Sequence, residues 1–309
     1  MSKKEVFLAI LDGYYSNILW FREKLIPPGK TAILETLKVV GHITTIEAIR
    51  SNMPSKPRDV IVKDPCLPFH LKGSRTGILF THGFGSSPET FRELATFLHK
   101  ETGFTCRAVR LEGHGTSVQD LERTNFLDWY KSIEFHYDEL AQEVDEIIML
   151  GHSMGSTLSL LFSAFHPVKA IVAISPPIKL HRPDAKFLPL ITWFKRYWPT
   201  KKSEVASYQK RGHYYYSRRA LKGVINLFDL MRVTRKKLHK VKAPIFSCVG
   251  LKDTRVNKEN MDLLELLVSS EKVEVSYFPE SYHSIHHGDE KEQLYLKILE
   301  FITSETKTE

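Results

Sequence analysis

Ile147-Ile148-Met149-Leu150-Gly151-His152-Ser153-Met154-Gly155-Ser156 joins a continuous apolar run to a Gly-x-Ser-x-Gly turn. A short apolar run bounded by a turn reads as a strand buried on both faces. The segment that follows, Ser156-Thr157-Leu158-Ser159-Leu160-Leu161-Phe162, reads as the start of a helix. Strand, sharp turn and helix in that order form a nucleophile elbow, with Ser153 at the tip above a helix N-terminus. The turn strains the serine backbone, so the positions two before and two after it need glycine to let strand and helix approach.

A serine hydroxyl is a poor nucleophile until a base takes its proton, and the base needs a third group to fix its tautomer. The sequence beyond the elbow therefore has to supply an acid and then a histidine, each on a loop after a strand. Ile245 to Val249 reads as a strand and is followed by Gly250-Leu251-Lys252-Asp253-Thr254-Arg255-Val256, which makes Asp253 the candidate acid. Val273 to Phe278 reads as the next strand, and Pro279-Glu280-Ser281-Tyr282-His283 after it makes His283 the candidate base. His286 and His287 are the alternatives to His283. Asp289 is the alternative acid, although capping the last helix is sufficient occupation for it. An oxyanion needs two backbone N–H donors. Met154, directly after the serine, is one candidate, and Phe84, in the loop His82-Gly83-Phe84-Gly85 after the strand Gly77 to Thr81, is the other. The turn Glu112-Gly113-His114-Gly115 is read as structural.

Outward from this centre, apolar strand candidates alternate with helical patterns. The strands are Val60-Ile61-Val62, Gly77 to Thr81, Thr105 to Arg110, Ile147 to Leu150, Ala170 to Ile174, Ile245 to Val249 and Val273 to Phe278. The helices are one opening at Ser87-Pro88-Glu89, then Leu127 to Val144, Ser153 to Phe165, Lys258 to Val268 and Glu290 to Thr303. This rhythm predicts an α/β fold, a mostly parallel sheet covered by helices on both faces, with ligands at the carboxyl ends of the strands. The core is expected over 58–177 and 243–309. Between them, 178–242 is too long for a structureless loop and is read as a helical cap insertion. It is rich in aromatic residues, of which Trp193, Tyr197 and Tyr215 are the candidate substrate contacts. Ahead of the core, 1–57 reads as an extra N-terminal helical segment, with helices over Glu5 to Leu25 and Thr31 to Asn52 that pack on the body or on a dimer partner. A second reading, an anchor at a membrane surface, rests on Trp20-Phe21-Arg22.

Composition limits the function classes. The 309 residues carry 44 Lys+Arg against 36 Asp+Glu, a net +8. The charge is concentrated: 179–242 holds 18 Lys+Arg against 3 Asp+Glu, leaving 26 against 33 elsewhere. A basic insert on an acidic body is a local device, and it carries no nucleic-acid motif. Its ordinary explanation is a solvated helical face; attraction to an anionic surface or product is the other. No apolar run reaches the roughly 20 residues of a membrane span, and the first apolar stretch, Val6 to Leu11, is short for a signal peptide. Three cysteines, Cys66, Cys106 and Cys248, form no metal spacing. So sparse and odd a count points to a reducing, cytoplasmic setting.

With Thr81-His82-Gly83-Phe84, Gly113-His114-Gly115, Asp128-Trp129, the elbow, Asp253 and Glu280-Ser281-Tyr282-His283 in view, the chain resembles the α/β-hydrolases from about residue 64 onward. Within them it is similar to small bacterial carboxylesterases and monoacylglycerol-lipase-like enzymes. The resemblance implies Ser153, Asp253 and His283 as triad and Phe84 with Met154 as oxyanion hole. It also implies hydrolysis of short- to medium-chain esters or monoacylglycerols through an acyl-enzyme, with no metal or organic cofactor. Thioesterase or lysophospholipase activity on the same triad, or small-molecule binding without turnover, are the alternatives. Tyr282 departs from the glycine usual before the histidine in that family, and 1–57 lies outside the family core. A small-molecule ester is the expected partner, with a transient membrane contact as a further reading; nothing in the sequence decides the oligomeric state.

Overall fold

The computed structural model of the protein describes residues 61–179 and 188–306. The chain divides into two compact units, Met1–Ser55 and Lys56–Glu309, and every described residue lies in the second. The helices expected over 5–25 and 31–52, Val60, and residues 180–187 of the insertion lie outside the described residues.

Seven strands form the central sheet: β1 (Phe69–Leu71), β2 (Thr76–Thr81), β3 (Thr105–Val109), β4 (Glu146–His152), β5 (Ala170–Ile174), β8 (Ile245–Gly250) and β9 (Val273–Phe278). Their order across the sheet is β1-β3-β2-β4-β5-β8-β9, and every pair is parallel except the antiparallel edge pair β1 and β3. The register sets Thr81 beside Gly151, His152 beside Ile174, Ile174 beside Cys248, and Gly250 beside Phe278. The carboxyl ends of five strands thus lie abreast, and the loops leaving them converge.

Alternation along the buried strands feeds two cores, because successive side chains point to opposite faces. Phe80, Ile148, Leu150, Val172 and Ile174 pack with Leu94 and Leu98 of α1 (Arg92–Thr102) and with Leu294, Ile298 and Phe301 of α9 (Lys291–Thr306). Leu79, Ile147 and Met149 pack on the opposite face. Their partners there are Trp129, Tyr130 and Ile133 of α3 (Phe126–Ala141), and Leu158, Leu161 and Phe162 of α4 (Met154–Ser163). Leu121 of α2 (Val118–Arg123) joins the second core, and α8 (Glu259–Leu267) packs Met261 on Val249 and Val256. Cys66, Cys106 and Cys248 are fully buried and unpaired. Burial pushes the thiols up, Cys66 to about 11 and Cys106 to about 12.

Three local expectations are corrected. No strand forms at Ile61 and Val62; Ile61 is 92% exposed, and the sheet begins instead with β1, whose Phe69-His70-Leu71 has no long apolar run. The helix opening at Ser87 begins as a 3-10 turn, Pro88–Phe91, and becomes α-helical only from Arg92. Ser87 occupies the N-cap position, but its hydroxyl donates to Glu89 Oε1 at 2.6 Å instead of capping the turn. In the insertion, α5 (Leu188–Ile191), α6 (Lys202–Lys210) and α7 (Leu221–Lys237) are joined by an antiparallel ribbon, β6 (Tyr197–Pro199) with β7 (Arg218–Ala220). Three paired residues per strand are too few for periodicity to reveal.

Candidate active site

The elbow sits where β4 meets α4. Ser153 has φ 54° and ψ −121°, a backbone region L-residues avoid, and its N–H donates to Ile174 O at 2.8 Å. The Ser156 hydroxyl donates to the same carbonyl at 2.9 Å, so the end of β5 pins both sides of the turn. The glycines are obligatory: a β-carbon on Gly151 would stand 2.5 Å from Gly155 C, and one on Gly155 would stand 1.9 Å from Thr81 O.

Two loops bring partners to the serine. His283 Nε2 lies 2.9 Å from Ser153 Oγ, and His283 Nδ1 lies 2.6 Å from Asp253 Oδ2. The Asp253 side chain is fully buried, and its Oδ1 accepts the N–H groups of Arg255 at 2.8 Å and Val256 at 3.1 Å. Burial alone would raise this carboxyl. The contact with His283 and the two amides outweigh it and hold Asp253 below the usual carboxylate range. Nδ1 of His283 therefore carries the proton toward a carboxylate, leaving Nε2 free to accept from the serine.

The histidine loop is held by its own main chain. His283 O accepts from the Ser175 hydroxyl at 3.1 Å and from His152 Nε2 at 3.0 Å. His152 is buried, and desolvation followed by repulsion from His283 lowers it to about 3, so it stays neutral and donates. Ser175, the first residue past β5, has φ 48°. Sequence reasoning missed both residues: His152 occupies the variable position of Gly-x-Ser, and Ser175 is one serine after an apolar strand.

His82-Gly83-Phe84 runs beside the elbow. A β-carbon on Gly83 would stand 3.2 Å from His152 Nδ1 and 3.5 Å from Ser153 Cβ. The His82 ring lies across the loop base, Nδ1 donating to Gly83 O at 2.9 Å and Nε2 accepting from Leu111 N at 3.2 Å. The Phe84 ring packs on His114 and Trp129, each 6.0 Å between centroids. Met154 is buried at the first position of α4, where a helix has no carbonyl for its N–H. Gly113 and Gly115 of the turn after β3 have φ of 76° and 69°.

Two of the three aromatic candidates, Trp193 and Tyr197, meet at Glu122, and the third, Tyr215, packs against the loop that carries Phe84. Tyr215 is buried, its ring 3.5 Å from where a Gly85 β-carbon would be and stacked on Tyr208 at 4.3 Å. Tyr197 gives its hydroxyl to Glu122 Oε2 at 2.7 Å, beside the two-pronged grip of Arg196 on the same carboxylate. Trp193 is 56% exposed and lines a cavity of about 300 Å³ with Glu122, Thr192, Arg196 and Lys222, none of them a triad candidate. Tyr282 is 68% exposed. Among the described residues, no group of three or more His, Cys, Asp or Glu could hold a metal ion, and no helix is long and apolar enough to cross a membrane.

Residues 73–291 match the family model described as serine aminopeptidase, S33. The chain is 32% identical over 222 residues to a thermostable monoacylglycerol lipase of Bacillus sp. (strain H-257), covering 70% of this chain and 86% of that one. It is 26% identical over 239 residues to a carboxylesterase of Bacillus subtilis (strain 168), covering 76% and 95% respectively. Among solved structures, one from work on two metagenome-derived lipolytic enzymes superposes with a TM-score of 0.73 at 26% identity, covering 79% of this chain and all of that one.

Proposed function

The chain belongs to the serine aminopeptidase S33 family and has the α/β-hydrolase fold, and from that premise we propose that it cleaves carboxylic esters through an acyl-enzyme on Ser153. It is an esterase/lipase-type hydrolase. The observation that carries the serine mechanism is the unbroken line of contacts from Ser153 Oγ through His283 to Asp253, 2.9 and 2.6 Å long.

As Oγ attacks the ester carbonyl, its proton passes to His283 Nε2, and Asp253 stabilises the imidazolium. The N–H groups of Phe84 and Met154 take the oxyanion. A lost donor of this kind costs about 10²–10³ in turnover. The C–O bond breaks as Nε2 returns the proton to the leaving alcohol. Water then gives a proton to Nε2 as it attacks the acyl-enzyme, and Ser153 recovers it when the carboxylic acid departs.

Esters of short- to medium-chain acids, monoacylglycerols among them, are the proposed substrates, in keeping with the names of the two Bacillus relatives. The family description raises a second possibility, removal of an N-terminal amino acid. Two features weigh against it: the insertion's 18 Lys+Arg against 3 Asp+Glu repel a substrate ammonium, and its Glu204 is already engaged by two arginines. Three buried, unpaired thiols are in keeping with a reducing compartment, the cytoplasm.

The test is hydrolysis of p-nitrophenyl esters of increasing acyl length, beside amino-acid p-nitroanilides, by the wild type and Ser153→Ala. Ester turnover that vanishes in Ser153→Ala, with the anilides untouched, is expected. Turnover of the anilides alone would replace the ester reading, and turnover of neither would leave a binding protein.

A further inference from the structure

Two side chains of α6, one turn apart in the basic insertion, reach the two loops that carry Asp253 and His283. Glu204 Oε1 accepts from Arg255 Nη2 at 2.5 Å, and Oε2 accepts from Arg219 Nη2 at 2.6 Å. Arg255 is the residue whose own N–H donates to Asp253 Oδ1. The Glu204 side chain is only 12% exposed. Burial would raise it, yet the two guanidiniums and a hydrogen bond from Tyr215 more than compensate, so it remains a carboxylate. The Tyr208 ring stacks on Tyr215 at 4.3 Å, and its hydroxyl faces the side chain of Ser284, the neighbour of His283. One short helix therefore holds the acid loop by an ion pair and sets a hydroxyl beside the histidine loop.

We propose that Glu204 and Tyr208 are positioning residues, through which the insertion clamps the Asp253 and His283 loops so that the triad is in working register only while α6 is docked. This rests on the triad assignment above and extends it to residues that touch no reacting atom. Glu204 is mostly shielded, its side chain 12% exposed between two arginines that are themselves partly exposed, so it differs from a fully exposed surface pair, whose coupling is small. Removing its charge leaves Arg255 without its anchor, and Arg255 is two residues from the carboxylate that orients the base. Misplacement of a catalytic group by about 1 Å from such a remote change costs up to about 10²-fold.

The experiment uses the full chain with Glu204→Gln, Arg255→Met, the double variant, Arg255→Lys and Tyr208→Phe. Two measurements are made: steady-state kinetics giving kcat and KM for p-nitrophenyl butyrate, and the downfield proton resonance of His283 Nδ1–H. Glu204→Gln and Arg255→Met are each expected to lower kcat by roughly 10- to 100-fold, with KM within about twofold of wild type. The double variant should be no worse than the poorer single one, because both remove one contact. Arg255→Lys should recover part of the loss, Tyr208→Phe should shift kcat in the same direction, and the downfield resonance should broaden wherever kcat falls. A kcat within about twofold of wild type with a sharp resonance overturns the clamp, and so does a rise in KM alone, which would make Glu204 a substrate contact. Should Glu204→Gln fail to fold, Arg255→Lys and Tyr208→Phe, milder changes, decide the question. A wild type that turns over no ester refutes the hydrolase reading, while the resonance still decides whether α6 orders the two loops.

Discussion

At the scale of single residues, the elbow makes the most severe demand on side-chain identity. A β-carbon on Gly155 would lie 1.9 Å from the carbonyl oxygen of Thr81, which belongs to the neighbouring strand and cannot move independently. Gly155→Ala should therefore unfold the protein or cost more than about 4 kcal/mol. Gly103, the C-cap of α1, is the control: its φ is 71°, but nothing lies within 4 Å of a β-carbon there. Gly103→Ala should cost only about 1 kcal/mol, measured by urea denaturation of both variants beside the wild type. The sequence made the elbow legible because the chemistry leaves so little choice at positions 151, 153 and 155. Asp253 and His283 were legible from their place beyond strands. His152, Ser175, Glu204 and Arg255 were not, because a residue that acts through another obeys no local pattern. Its partner, often a main-chain atom, is known only once the chain has folded.

At the scale of elements, the sheet was readable and the insertion was only partly so. Strands buried on both faces must be apolar throughout, and that requirement is written into Ile78-Leu79-Phe80, Ile147 to Leu150 and Ala170 to Ile174. The edge strand β1 has one buried residue in three and left no such trace, while the apolar Ile61-Val62 ahead of it in the chain stays outside the sheet. The ribbon β6–β7 holds its place through side-chain anchors. Just ahead of β7 in the chain is Tyr216, 4% exposed, whose hydroxyl donates to Gly113 O at 2.8 Å and accepts from Thr116 N at 3.2 Å. Tyr216→Phe keeps the ring and strands two buried main-chain groups, so stability should fall by about 1–3 kcal/mol. A urea midpoint equal to that of the wild type would mean that water or a neighbour satisfies both groups.

At the scale of the whole molecule, the fold stores many histidines in uncharged form. Desolvation lowers His114 to about 4 and His152 to about 3, and it drives His82 and His286 well below their ordinary range. An unfolded histidine titrates near ~6.5. As the pH falls below that value the unfolded chain takes up protons that the fold refuses, so stability present above it is lost progressively toward pH 4 and below. Glu89, whose buried carboxyl is raised, works in the opposite sense, but among the described residues it is one carboxyl against several rings. One histidine kept neutral contributes about 2 kcal/mol of loss by pH 5, so urea midpoints should drop steeply between pH 7.5 and pH 5. A flat profile would mean that these rings are charged or solvated in the folded chain. The buried cysteines have a consequence of a different kind, for anyone wishing to attach a reporter to this protein. With Cys66, Cys106 and Cys248 all at 0% exposure, no native thiol of the folded chain competes for a maleimide dye. A single cysteine in place of Phe194, itself 86% exposed on the insertion, becomes the one addressable handle. The insertion can then be watched by fluorescence against a silent background, without first stripping the native cysteines from the sequence.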